Sequence, residues 1–139
     1  MIPSITIEEL EYIALLFAEQ MEKEVGNRPG YRVVNRGKLE SSITQPFQQI
    51  AGKELYPTII SKAAILYYLC IKNHPFEDGN KRMGIFALIL FLEKNGYSLE
   101  TSNDELFDIT VYTASSKVED MNIVRERLEN FLEKSIVKT

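Results

Sequence analysis

At 139 residues, 45% hydrophobic and 26% charged, the chain is long enough for one hydrophobic core and too apolar for global disorder. A formal net charge of −4 argues against a nucleic-acid-binding surface, which needs a basic face. One cysteine, Cys70, and one histidine, His74, exclude an intrachain disulfide and a zinc site of soft ligands.

Thr6 and Glu9 form a capping box that starts a helix over Ile7–Val25, with Leu10, Ile13, Ala14, Phe17, Ala18 and Met21 on its buried face. Gly26 and Asn27 end it. Asn27 to Gly37 reads as a loop, with Pro29 and Gly30 as breakers, and a short helix is predicted over Lys38–Thr44, stopped by Pro46. Residues 47 to 57 are irregular, with turn signals at Gly52 and Pro57 and room for a small hairpin.

Thr58 caps a third helix reaching Lys72, apolar around most of its circumference, in which Cys70 reads as a core residue rather than a reactive thiol. The fourth helix, Asn80–Lys94, has no polar face between Met83 and Leu92, which predicts a helix in the middle of the bundle. Gly96 closes it. A fifth helix spans Asn103–Ala114, with Leu106, Phe107, Thr110, Val111 and Ala114 inward. The last is predicted over Lys117–Ile136, capped by Ser116 with Glu119, with Met121, Val124, Leu128, Phe131 and Leu132 inward. The expectation is one all-α domain over residues 1–139, a bundle around a central buried helix. The longest apolar run, Ile85–Leu92, is far below the ~20 residues a bilayer span needs, and no secretory leader is visible. A cytoplasmic protein without membrane contact is expected.

Between the two most apolar helices lies His74-Pro75-Phe76-Glu77-Asp78-Gly79-Asn80-Lys81-Arg82. A helix starting at Asn80 directs unpartnered backbone N–H groups outward, and Asp78 or Asn80 is placed to cap it. Lys81 and Arg82 add cations to an end the helix dipole already makes positive, so an anion there is compensating. Gly79 allows close approach by a ligand. A phosphate chain is the natural anion, with Arg82 a bidentate donor and Lys81 a point charge. Asp78 is a carboxylate placed to hold Mg²⁺ beside phosphates, and His74 is the side chain suited to proton transfer near neutrality. Taken singly, each residue has a structural explanation. Together, ahead of a wholly apolar helix, they indicate a group-transfer site.

The string His74 to Arg82 resembles the signature of the Fic/Doc family, H-P-F-x-[D/E]-G-N-G-R-x-x-R, with Lys81 in place of the second glycine and Ile85 in place of the second arginine. Both departures resemble the Doc (death-on-curing) branch. So do Arg36–Ser42, Gln45-Pro46, Leu55–Thr58 and Asn95–Tyr97. The resemblance implies the all-α Fic fold, with His74 as general base toward a target hydroxyl, Asp78 holding Mg²⁺, and Gly79, Asn80, Lys81 and Arg82 binding the phosphates of ATP. It implies that Phe76 anchors the loop in the core. It also implies that Gly52, Lys53, Glu54, Leu55 and Tyr56 form a flap positioning the target. A Doc-type toxin would transfer the γ-phosphate to a protein, elongation factor Tu by resemblance, and so arrest translation. A separate antitoxin chain would neutralise it, because Ser4–Glu9 and Ser115–Asp120 read as ordinary helix starts rather than an inhibitory helix in cis. The alternatives are a Fic-type AMP transferase (AMPylation), and a nucleotide- or partner-binding module without turnover.

Overall fold

The computed structural model describes residues 2–26, 33–76 and 79–139. The stop signal Asn27 and the breakers Pro29 and Gly30 lie outside the described residues, as do Glu77 and Asp78. Among the described residues the fold is all-α, with six α-helices and two short antiparallel strand pairs. In chain order these are α1 (Ile7–Val25), α2 (Arg36–Thr44), the strands β1 (Gln49–Ile50) and β2 (Lys53–Glu54), α3 (Ile59–Lys72), α4 (Asn80–Lys94), β3 (Tyr97–Leu99), α5 (Asn103–Ser115), α6 (Met121–Ser135) and β4 (Ile136–Lys138). None of the described helices is long and apolar enough to cross a membrane.

Local chemistry accounts for most boundaries. Thr6 and Glu9 form both bonds of the capping box on α1, and Gly26 ends the helix in the left-handed region at φ 78°. Helix α2 begins two residues earlier than expected because Asn35 Oδ1 accepts from the Lys38 N–H at 3.0 Å, making Asn35 the cap. Residues 47–57 do contain a hairpin. Its strands pair Gln49 with Glu54 and Ile50 with Lys53 around a turn in which Ala51 and Gly52 both have positive φ, the geometry of tight hairpin turns.

At the C-terminal helix two expectations fail. Ser116 does not cap the last helix. Its Oγ donates to the Thr113 carbonyl at 2.6 Å and closes α5, and a 3₁₀ turn over Val118–Asp120 precedes α6. The last helix also stops at Ser135, because the chain then pairs with β3, Tyr97 facing Lys138 and Leu99 facing Ile136. Such three-residue strands carry no local period and exist only through their long-range partner.

The central helix is α3, not α4. Every residue from Ser61 to Ile71 is buried, because α2, α4, α5 and α6 all pack around it. In α4 the buried face is Met83, Gly84, Ala87, Leu88, Phe91 and Leu92. Ile85, Phe86, Ile89 and Leu90 are only half-buried, Phe86 meeting Phe17 of α1 at 5.4 Å between ring centroids. A helix apolar all round thus spends its second face on partial cover by α1 and on a cavity wall.

At Gly84 the α4 backbone comes so close to α3 that an added Cβ would lie 2.8 Å from Ile71 Cγ1. Because Ile71 is itself buried, we predict that Gly84→Ala costs about 1–3 kcal/mol, read from urea unfolding. A second prediction concerns acid. Burial raises the Glu9 pKa, but hydrogen bonds from Lys94 Nζ at 2.6 Å and from Thr6 outweigh it and hold the carboxyl below its ordinary 4.5. A depressed folded pKa gives stability that is present above the unfolded value and lost as pH falls through the folded one. Glu9→Gln should therefore lose less stability than the wild type as pH falls below the ordinary 4.5 and through the lowered folded value, measured by urea midpoints at each pH.

Candidate active site

The loop between α3 and α4 is held from several sides. Lys72, the last residue of α3, donates to the carbonyls of Ala114 (3.2 Å) and Ser116 (2.6 Å), and Asn73 Nδ2 donates to Ser42 Oγ at 2.9 Å. His74 follows, exposed, with φ 47°. A non-glycine residue in the left-handed region ends a helix sharply, at a backbone cost of order 1–2 kcal/mol. The Pro75 carbonyl then accepts from the N–H groups of Val34 (2.9 Å) and Asn35 (3.1 Å), and Phe76, 2% exposed, forms an antiparallel bridge with Val33.

Asp78 lies outside the described residues, and Asn80 is not the cap found on α4. That place belongs to Gly79, φ 70°, which has no side chain with which to close the turn. Asn80 instead turns its amide back on the loop. Its Oδ1 accepts from the Phe76 N–H at 3.0 Å and its Nδ2 donates to the Phe76 carbonyl at 3.1 Å. Lys81 and Arg82 are exposed at the first turn, and the Arg82 guanidinium lies over the Phe17 ring, 4.8 Å from its centroid. Such a contact orients the planar group from behind.

These residues border a cavity of about 730 Å³ lined by His74, Gly79, Asn80, Lys81 and Arg82, together with Ile71, Ile85 and one face of α5. Neither Phe76 nor the hairpin residues Gly52, Lys53, Glu54, Leu55 and Tyr56 are among its described lining. In the hairpin, Tyr56 is buried and the other four are exposed. Of the α5 residues expected to point into the core, Thr110 is buried and Leu106 and Ala114 are partly buried against the core, but Phe107 and Val111 are exposed. Phe107 is 66% exposed, and it lines the cavity with Leu106, Val111 and Ala114, while Ile109, Thr110 and Thr113 are the buried residues of α5. Thr110 Oγ1 pairs with the buried Tyr67 hydroxyl of α3, which holds that side of α5 to the core. Burial pushes the Tyr67 hydroxyl up to about 12, so it remains protonated.

Cys70 is fully buried and its thiol is likewise pushed up to about 12 by burial, the state of a core residue. Among the described residues there is no group of three or more His, Cys, Asp or Glu side chains placed to hold a metal. Asp78 lies outside them. The residue most easily overlooked is Lys62, whose signal is a lone lysine inside the apolar run from Ile59 to Ile71 and which is 1% exposed.

The model of the Fic/DOC family matches residues 5–92. The Toxin Doc of Mycolicibacterium smegmatis is 34% identical over 73 residues, 52% of this chain and 56% of that protein. The Protein kinase doc of Escherichia phage P1 is 29% identical over 93 residues, 67% of this chain and 71% of that protein. The match thus spans little more than half the length of the first relative.

The backbone at position 74 can be tested without any substrate. His74→Asn, whose side chain tolerates the left-handed region, should leave stability within about 1 kcal/mol of the wild type, while His74→Val should cost about 1–2 kcal/mol more. Asn80→Ala, which strips both bonds from Phe76, should cost about 1–3 kcal/mol. Urea unfolding of the three variants separates these expectations.

Proposed function

Because the chain belongs to the Fic/DOC family, we propose that it is a Doc-type toxin that transfers the γ-phosphoryl group of ATP to a protein hydroxyl. The observation that carries this reading is the shared cavity of His74 with Gly79 to Arg82 at the start of α4. One imidazole faces the same space as a helix N-terminus bearing two cations, the donor set a triphosphate requires. The apolar α5 wall is chemically suited to a nucleoside.

In this reading His74 accepts the proton of the target hydroxyl. The hydroxyl oxygen forms a bond to the γ-phosphorus, and the bond from that phosphorus to the β,γ-bridging oxygen breaks, so ADP leaves with the electron pair. The first turn of α4, Lys81 as a point charge and Arg82 as a planar donor oriented over Phe17 stabilise the charge that develops on the phosphate oxygens. The Asn80 side chain keeps the loop folded on Phe76, so its share in binding falls to the backbone. Asp78 is proposed to hold Mg²⁺, which neutralises phosphate charge when bound.

Phosphoryl transfer is favoured over AMP transfer because Ile85, where the family pattern carries its second arginine, contributes apolar surface to the cavity. That leaves one guanidinium fewer for a triphosphate seated as in AMP transferases. The hairpin is proposed as the flap that positions the target segment. Elongation factor Tu is the proposed target, translation arrest the outcome in the cytoplasm, and a separate antitoxin chain the partner.

The test is mass spectrometry of a bacterial translation extract incubated with the protein, ATP and Mg²⁺, with His74→Asn as control. One phosphate gained by a protein, present only with His74 and lost with a Mg²⁺ chelator, is the expected result. A His74-dependent AMP adduct would replace phosphoryl transfer with AMPylation. Equal modification by His74→Asn, or none by the wild type, would overturn the enzymatic reading.

A further inference from the structure

The hairpin of β1 and β2 buries almost nothing of its own. All four strand residues are exposed, Ile50 at 58%, and Leu55 just beyond is 43% exposed. A two-stranded hairpin in that state is marginal in water and needs support from elsewhere. The support lies beneath it. Lys62, in the first turn of α3, directs its Nζ to the carbonyls of Pro46 (3.2 Å) and Tyr56 (2.5 Å) and to Glu54 Oε1 (2.9 Å). The Phe47 ring lies 5.0 Å from the same ammonium, and Arg125 of α6 covers Tyr56 at 5.3 Å. One carbonyl precedes β1, the other follows β2, and the carboxylate sits on β2 itself.

A buried ammonium is a costly way to fill space. Its desolvation offsets most of what its partners return, and an apolar side chain of similar volume is often as stabilising. What the ammonium supplies is direction. Acceptors from both ends of the hairpin must converge on one point, which fixes the hairpin against α3, the most buried element of the fold.

We propose that Lys62 is a positioning residue for the protein target, acting by holding the hairpin so that its exposed apolar side chains, Ile50 and Leu55, meet the target segment. This rests on the reading of the hairpin as the target-positioning flap. Lys62 is not among the described lining of the cavity at His74, so its removal leaves nucleotide binding intact.

The test uses the full chain with Lys62→Met, and Glu54→Ala as a second variant that removes only the partner on β2. The first readout is amide hydrogen exchange, which needs no substrate. Exchange at residues 49–55, including the Leu55 N–H that donates to the Gln48 carbonyl, should rise about tenfold or more in Lys62→Met while α4 stays unchanged. The second readout is kinetics on the protein labelled in a His74-dependent way. KM for that protein should rise about fivefold or more, with kcat and the affinity for a non-hydrolysable ATP analogue within about twofold. Unchanged exchange in both variants overturns the clamp. Raised exchange with unchanged KM overturns its role toward the target, as does a fall in kcat or analogue affinity at constant KM. If Lys62→Met does not fold, Glu54→Ala decides by the same readouts. If the wild type labels no protein, the functional reading has failed, and exchange still decides whether Lys62 holds the hairpin.

Discussion

The approach of α4 to α3 at Gly84 sets the geometry on which the site depends. Ile71, the side chain that Gly84 makes room for, stands one turn before His74 and also lines the cavity, while Gly84 stands just after Arg82. A close contact between the two helices therefore lies beneath the loop that joins them. Close-packed interiors transmit small displacements. A change in the spacing of α3 and α4 would move His74 relative to the first turn of α4, and proton acceptor and phosphate cradle would separate.

Above that contact the loop collects several locally unfavourable features. His74 adopts a left-handed backbone, Gly79 caps a helix without a side chain, and two cations sit at the positive end of α4. None of these favours the fold by itself. They persist because the surroundings over-determine them: Asn80 bonds both backbone groups of Phe76, Phe76 is buried, and Pro75 is bonded to the segment ahead of α2. Arrangements that oppose local preference and are held by rigid neighbours are what a preorganised site requires.

Lys62 and Lys72 show how a helix can be both core and scaffold. One lysine of α3 is turned toward the hairpin and the other toward the end of α5. Both spend their charge on backbone carbonyls at the ends of neighbouring elements, where orphan acceptors are found. The most buried helix thus fixes the positions of two peripheral elements through polar contacts, while its apolar side chains pack against the others.

Local chemistry alone determined the bounds of α1 and the start of α3, because a capping side chain, a glycine stop and a 3.6-residue period act within a few residues of each other. The site loop was legible for the same reason: its polar residues are contiguous, and interrupt two apolar helices. Contacts between distant segments were not legible. The pairing of β3 with β4, the exposure of Phe107 at the cavity, the support of the hairpin by Lys62 and the choice of α3 over α4 as the centre each depend on partners far along the chain. Both helices carry enough apolar surface to be central. The tertiary structure decides between them, because burial depends on how many neighbours surround a helix, and hydrophobic pattern records only how many it could tolerate.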